Sequence, residues 1–432
     1  MKLQIRGDTH VPGDKSITHR ALMFAALAHG ESRLSGLLPG EDCRSTASVL
    51  RALGCDIPDI PEDGSEIRVT GHGVSEWRRP TAELDCGNSG TTARLMMGIL
   101  ASRPFAATLT GDESLRGRPM RRVTAPLQRM GAHFNEAGAP DRLPIEIVGG
   151  PLRSLDYASP TASAQVKSAI LLAGLTAGVP VSVTEPHLSR DHTERMLAAL
   201  GVHVQASPVE GGWRVAVPAH RRPLGALDLR VPGDPSSAAF LAALALMADE
   251  GELVIRGVGV NPTRTGFLTI AERMGAQIGR TNERTEGGEL VADLVVRPSS
   301  LRGTSVGGDE VPAAVDEMPM LAVLAARAEG ETRITGAGEL RVKETDRIAA
   351  IAGNLRALGA DAEELDDGLV VRGSDKPLVG RIKTYGDHRI AMAFGVLGAL
   401  PGNEVEIDDR ECAAVSFPGF FDRLRELTGG HQ

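Results

Sequence analysis

Six glycines set the frame of this chain. Gly54, Gly131, Gly201, Gly275, Gly359 and Gly429 recur at intervals of 77, 70, 74, 84 and 70 residues. The first five close one phrase, written LRALGCDI, LQRMGAHF, LAALGVHV, AERMGAQI and LRALGADA. In each, a helix runs out at Leu or Met, the glycine takes the left-handed position that ends a helix, and a strand follows. Upstream lies another short strand, as in GESRLSG, FAATLTG and GETRITG, and before it a small-residue helix such as ALMFAALA or TARLMMGILA. The predicted unit is helix, strand, helix, strand, strand, roughly 75 residues long, and a period of that size marks repeat architecture. Six units fill the chain, the sixth frayed at Gly429.

Two units open alike. Val11 to Arg20 reads VPGDKSITHR, and the frame returns at Val231 as VPGDPSSAA. Both read as a strand end, a Pro-Gly turn and an acidic cap opening an alanine-rich helix. Lys15, Ser16 and Arg20 stand at the helix start of the first copy, whereas Pro235 and Phe240 replace the cations in the second. Free N–H groups and the dipole favour an anion there, so charge in only one copy suggests a site built on a repeat. At 432 residues the chain exceeds one ordinary core. The repeat of VPGD suggests two domains of three units each. Residues 1–13 precede the first unit and supply a strand, so they are expected to complete the second domain. The expected domains are residues 14–226, and residues 1–13 plus 227–432, with two crossings forming a hinge.

Several function classes recede at this point. Aromatic residues make up only 3% and the net charge is -9, which argues against stacking on or neutralising nucleic acid. The opening MKLQIRGDTH lacks the apolar stretch of a secretory signal, and the longest apolar runs fall short of a bilayer span. Neither nucleic acid nor a membrane is expected as a partner. Cys43, Cys55, Cys86 and Cys412 have no metal-type spacing and suggest reduced thiols in a cytoplasm.

What remains is a surplus of anion donors near helix starts. LDCGNSGTTAR, Leu84 to Arg94, turns from a strand into a helix, and the N–H groups of Ser89, Gly90 and Thr91 can form an anion-binding concavity or an ordinary capped turn. DESLRGRPMRR, Asp112 to Arg122, reads as an arginine-rich loop. In ASAQVKS, Ala162 to Ser168, the polar residues Ser163, Gln165 and Lys167 interrupt an apolar helix, either as a satisfied cap or as a substrate-facing edge. VDEMP places Asp316 and Glu317 before another apolar helix, as caps or as a base near bound hydroxyls. RVKETDR, Arg341 to Arg347, brings Glu344 and Lys343 onto a face with Arg347 at helical spacing, which is also the pattern of a surface ion ladder. In YGDHR, Asp387 can cap a helix that begins with His388 and Arg389. Neither a metal triad nor a nucleophile elbow emerges. Such donors in an acidic protein favour a small polyanion held in an interdomain cleft.

Taken in order, PGDKSITHRA, LDCGNSGTTARL, RPM, SAQVKSAILLAGL, VDEMPML, KETDR and GDHRIAM span the whole chain and resemble the blocks of the 5-enolpyruvylshikimate-3-phosphate synthase family. The resemblance implies an α/β protein with the two-domain enolpyruvyl transferase fold, an inside-out α/β barrel of six βαβαββ repeats, three per domain. It implies transfer of the enolpyruvyl group of phosphoenolpyruvate to the 5-hydroxyl of shikimate 3-phosphate with release of phosphate, on the route to chorismate and the aromatic amino acids. By matching blocks, Lys15, Ser16, Arg20, Ser163, Ala164, Gln165, Arg190, Asp316 and Lys343 would hold shikimate 3-phosphate. Lys15, Asn88, Gly90, Thr91, Arg118, Gln165, Arg347, His388 and Arg389 would hold phosphoenolpyruvate. Asp316 would take the hydroxyl proton and Glu344 would protonate the methylene carbon, with Lys15 beside both substrates. The resemblance implies no cofactor and no metal, a cytoplasmic monomer, and a glyphosate target.

One position departs from the pattern: Val415 stands where some members carry a Lys. The nearest alternative is the sister transferase acting on UDP-N-acetylglucosamine. That family opens with Lys-Asn where this chain has Lys15-Ser16, and commonly carries a loop cysteine that is missing between Asp112 and Arg118. A non-catalytic anion-binding scaffold is a further alternative, and it leaves Asp316 and Glu344 without a purpose.

Overall fold

Each repeat unit builds a small sheet whose strand order follows from its connections. The structure is a computed structural model that describes residues 2–430; Met1, His431 and Gln432, at the ends of the expected second domain, lie outside the described residues. In the second unit, strand Leu84–Asp85 leads into helix Gly90–Leu100 and returns parallel as strand Ala106–Thr110. A parallel return requires a crossover, and the helix provides it. Helix Arg121–Met130 then leads to the hairpin His133–Glu136 and Ile145–Val148, and Ile145–Val148 pairs antiparallel with Ala106–Thr110. The same order recurs with Leu155–Ala158, Val181–Glu185, Gly212–Val217 and Gln205–Val209, and with Ser305–Val306, Glu331–Ile334, Gly368–Arg372 and Asp361–Leu365.

The framing glycines have the predicted conformation. Gly131 follows helix Arg121–Met130 at φ 110°, and its N–H donates to the Gln128 carbonyl at 2.9 Å. Gly54, Gly201, Gly275, Gly359 and Gly429 also have positive φ. Side chains pay a steric penalty in that region, which explains why the repeat keeps this residue while its neighbours vary.

The first and fourth units obtain their leading strands from elsewhere in the chain. Strand Gln4–Thr9 pairs parallel with Glu250–Gly259, in register from Gln4 opposite Glu250. Strands Leu224–Gly225 and Asp228–Arg230 pair parallel with Ala28–Ser35. The chain accordingly divides into one unit of Met1–Pro12, Pro232–Thr285 and Leu290–Gln432, and another of Gly13–Val231 with Glu286–Glu289. The second crossing lies between Val231 and Pro232, beyond the expected step at Ala226–Leu227, because Asp228–Arg230 stays hydrogen-bonded to Arg33–Ser35. The excursion Glu286–Glu289 carries no sequence signal of a crossing.

Two units depart from the repeat. The sixth has strands Val379–Ile382 and Glu404–Ile407 but no hairpin among the described residues; helix Phe420–Leu427 takes its place, with Phe420 edge-on to Phe240, Phe417 and Phe421. The first has Ile67–His72 against Ala28–Ser35, and its remaining strand shrinks to a bridge between Asp56 and Thr70.

Within each unit the small-residue helices make a separate core. Lys15–Leu27, Gly90–Leu100 and Ala164–Ala177 are apolar nearly all round, as helices buried on every side must be. Pro235–Leu246, Met318–Arg327 and His388–Gly398 do the same in the other unit. No helix among the described residues is long and apolar enough to cross a membrane. Small residues permit close approach: a methyl group on Gly98 would collide with the Ala169 carbonyl of the facing helix. Buried polar residues also tie the helices together. His19 Nδ1 lies 2.7 Å from Thr46 Oγ1, which lies 2.6 Å from Thr92 Oγ1, and that hydroxyl donates to Ser89 Oγ at 2.7 Å.

Two outcomes are expected. Gly98→Ala forces backbone apart and should cost about 1–3 kcal/mol, the usual range for overpacking; a lowered urea midpoint at unchanged slope would register it. Burial pushes the His19 imidazole down to about 3 from 6.5. Between those values the unfolded chain binds more protons, so the contribution of neutral His19 is complete above pH 6.5 and declines below it by about 1.4 kcal/mol per pH unit. Urea titrations at pH 7 and pH 5 should therefore show a smaller acid loss in His19→Asn than in the parent, by about 2 kcal/mol.

Candidate active site

In the unit of Gly13–Val231, the expected residues sit where buried helices begin. Asp14 caps helix Lys15–Leu27 by accepting the Ile17 N–H at 2.9 Å. Lys15, the first helical residue, pairs with Asp42 at 3.0 Å. Arg20 is buried one turn on: Nε donates to Thr193 Oγ1 at 2.7 Å, Nη2 to Ser168 Oγ at 2.9 Å and Nη1 to the Ser16 carbonyl at 3.0 Å. Burial lowers its pKa to about 10, so it stays charged at neutral pH.

The glycine-rich turn carries a second group. Ser89 caps helix Gly90–Leu100 by accepting the Thr92 N–H. A β-carbon at Gly90 would stand 2.8 Å from Arg94 Nη1 and 3.5 Å from Arg118 Nη1, so a side chain there would press on the Arg94 guanidinium. Asn88 donates to Asp112 at 2.7 Å and accepts from Arg118 at 2.7 Å. Gln165, in the first turn of helix Ala164–Ala177, accepts from Arg94 at 2.7 Å and from Arg122 at 3.5 Å, and donates to Thr91 Oγ1 at 3.1 Å. Asn88, Gly90, Thr91, Arg118 and Gln165 are thus brought together. Ser163 precedes the same helix, and its N–H donates to Glu185 at 3.3 Å. Arg190 follows the buried Ser189 in the segment ahead of helix His192–Ala199.

The other unit assembles a carboxylate cluster around one guanidinium. Arg347 opens helix Arg347–Ala357 and is fully buried. Its Nε pairs with Asp387 at 2.7 Å, Nη2 with Glu344 at 2.7 Å and Nη1 with Asp316 at 3.5 Å. Burial opposes that charge, but Asp387, Glu344 and Asp316 outweigh it and raise the pKa of Arg347. Arg389 donates to the Asp316 carbonyl at 3.2 Å and its Nε lies 3.6 Å from the Asp316 carboxylate. Asp387 caps helix His388–Gly398 by accepting the Arg389 N–H, which leaves His388 buried in its first turn.

Several local readings change. RVKETDR is not one helix: Gly338–Val342 is a 3-10 turn, Lys343 is extended, and Asp346 caps a new helix. Lys343 pairs back with Glu339 at 2.8 Å, while Glu344 still reaches Arg347. DESLRGRPMRR contains the short helix Glu113–Arg116 and the start of Arg121–Met130, so Arg121 and Arg122 are helical. Glu317 does not cap its helix; it accepts from the buried Ser236 hydroxyl, which also receives Arg264 Nη2 at 2.8 Å. Lys167 faces inward to Glu185 and Glu194 and forms no substrate-facing edge. Sequence reasoning passed over Arg94, although an arginine in an otherwise apolar helix was a visible signal. Val415 is half-buried at the end of the 3-10 turn Glu411–Val415. No group of three or more metal-ligating side chains occurs among the described residues.

Comparison with known proteins agrees over the chain's length. The family profile described as EPSP synthase (3-phosphoshikimate 1-carboxyvinyltransferase) matches residues 2–424. A 3-phosphoshikimate 1-carboxyvinyltransferase from Desulforudis audaxviator is 51% identical over 423 residues, covering 98% of this chain and 97% of its own. One from Geobacter metallireducens is 47% identical over 430 residues, with the same coverages of 98% and 97%. Among solved structures, an EPSP synthase from Acinetobacter baumannii superposes with a TM-score of 0.87 at 41% identity, covering 99% of this chain and 96% of that one. The enolpyruvyl transferase NikO from Streptomyces tendae, at 19% identity and a TM-score of 0.76 over 98% of this chain and 95% of its own, shares the two-domain enolpyruvyl transferase fold. On the strength of that family match and these identities, the chain belongs to the EPSP synthase family of 3-phosphoshikimate 1-carboxyvinyltransferases.

Proposed function

We propose that this enzyme transfers the enolpyruvyl group of phosphoenolpyruvate to the 5-hydroxyl of shikimate 3-phosphate through the two residue sets described above. The observation that carries the residue assignment is the convergence of Asp316 and Glu344 on the buried Arg347. It supplies two carboxylates for proton transfer and a cation to receive an anion. Lys15, Ser16, Arg20, Ser163, Ala164, Gln165, Arg190, Asp316 and Lys343 hold shikimate 3-phosphate. Lys15, Asn88, Gly90, Thr91, Arg118, Gln165, Arg347, His388 and Arg389 hold phosphoenolpyruvate. These residues divide between the two units, with Lys15 to Arg190 in the unit of Gly13–Val231 and Asp316 to Arg389 in the other.

Two polyanions repel at bonding distance, and the clustered Lys and Arg offset that repulsion. Asp316 takes the 5-hydroxyl proton as the oxygen bonds to C2 of phosphoenolpyruvate, while Glu344 gives a proton to the methylene carbon. The tetrahedral adduct then breaks its C–O bond to phosphate, and a methyl proton returns to Glu344 as the double bond reforms. Glu344 must begin protonated although Arg347 favours its anion. The arriving anions act against that ionised form and engage Arg347 themselves. Protons alone balance both steps, so the reaction draws on no redox cofactor. The four cysteines, which have no metal-type spacing, fit a reducing cytoplasm, where the enzyme acts as a monomer on small molecules.

Phosphate release should require phosphoenolpyruvate and shikimate 3-phosphate together; turnover with UDP-N-acetylglucosamine and none with the shikimate ester would refute the substrate assignment. Asp316→Asn, nearly isosteric, should lower kcat about 100-fold or more, the range for removing a general base, with its melting temperature within a few degrees of the parent. Undiminished kcat would remove Asp316 from the chemistry.

A further inference from the structure

The mechanism makes no use of Lys167, a fully buried cation in the unit of Gly13–Val231. Its ammonium lies 2.7 Å from Glu185 Oε1 and 2.8 Å from Glu194 Oε1, and it donates to the Ser189 carbonyl at 3.3 Å. Burial disfavours the positive charge, but Glu194 and Glu185 outweigh it and hold the pKa above the ordinary value. Buried ion clusters seldom stabilise a fold more than apolar packing of the same volume would, so stability alone is a weak reason for this one.

Glu185 holds the backbone of two other segments. It ends strand Val181–Glu185, and its Oε1 accepts both the N–H and the hydroxyl of Ser189 at 2.8 Å. Its Oε2 accepts the Ser163 N–H at 3.3 Å and shares the Ser189 hydroxyl at 2.8 Å. One carboxylate therefore joins the residue before helix Ala164–Ala177 to the residue before Arg190. The neighbours of the cluster reach Arg20: Ser168 follows Lys167, Thr193 precedes Glu194, and both hydroxyls receive that guanidinium.

We propose that Glu185, fixed by Lys167, is a positioning residue for shikimate 3-phosphate: it sets the separation between Ser163 and the Ser189–Arg190 segment, and so the geometry of the ester's cradle. It touches no reacting atom. The proposal rests on the assignment of Ser163 and Arg190 to that substrate.

Glu185→Gln and Glu194→Gln make the test, because both remove one charge from the same buried lysine and only the first alters an acceptor of the Ser163 and Ser189 N–H groups. Glu185→Gln should raise KM for shikimate 3-phosphate about tenfold, the scale of a lost charged hydrogen bond, while KM for phosphoenolpyruvate and kcat stay within about twofold. Glu194→Gln should leave both KM values within about twofold. Ser189→Ala, which deletes only a hydroxyl, covers a failure of Glu185→Gln to fold and should raise the same KM about threefold. Equal effects of the two glutamine variants, or equal rises in both KM values, would overturn the positioning role. The parent enzyme is assayed first: no turnover with the two substrates contradicts the functional reading, whereas normal turnover with an unchanged KM in Glu185→Gln contradicts the positioning role alone.

Discussion

Close packing of apolar helices constrains everything else in this protein. A helix buried on all sides can expose chemistry only at its ends, and each unit packs three such helices into its core. Several of their first turns are bonded to one another: Gln165 reaches Thr91 and Arg94, joining two helix starts, and Arg389 reaches the Asp316 backbone just ahead of helix Met318–Arg327. Helix N-termini gather unpaired N–H groups and positive potential. An assembly of this kind attracts anions before any side chain is chosen, and the cations at Lys15, Arg20, Arg118, Arg347 and Arg389 build on that background.

Carboxylates then temper the excess of positive charge. Asp42 pairs with Lys15, Asp112 orients Asn88, and Asp387, Glu344 and Asp316 share Arg347. Lys15 and Arg347 are thereby fixed in place, and donors held in advance lower the cost of ordering them around an anion. The second VPGD copy shows the same scaffold turned to structure. Asp234 caps its helix and pairs with Arg264, and Ser236 bonds Glu317, so polarity there is spent inside the core.

The period of the glycines made the fold legible, because left-handed helix ends recur wherever the unit recurs. Chain-order logic also placed strand Gln4–Thr9 in the second half, where it pairs with Glu250–Gly259. Features set by distant partners were not legible. Lys167 read equally as part of a satisfied cap or of a substrate-facing edge, since nothing local points to Glu185 and Glu194. RVKETDR has helical spacing, yet the Asp346 cap starts the helix only at Arg347. The sixth hairpin is absent among the described residues, yet Gly429 keeps its positive φ after a different helix.

The central claim is that the carboxylate cluster at Arg347 adds a proton to the methylene carbon and takes one back. Turnover in deuterium oxide, followed by proton NMR of the vinyl group, tests it most directly. A rotating methyl intermediate predicts deuterium in the product's methylene position, with loss of both turnover and label in Glu344→Gln. Product formed in deuterium oxide with a fully protonated methylene group would contradict the addition and elimination proposed here.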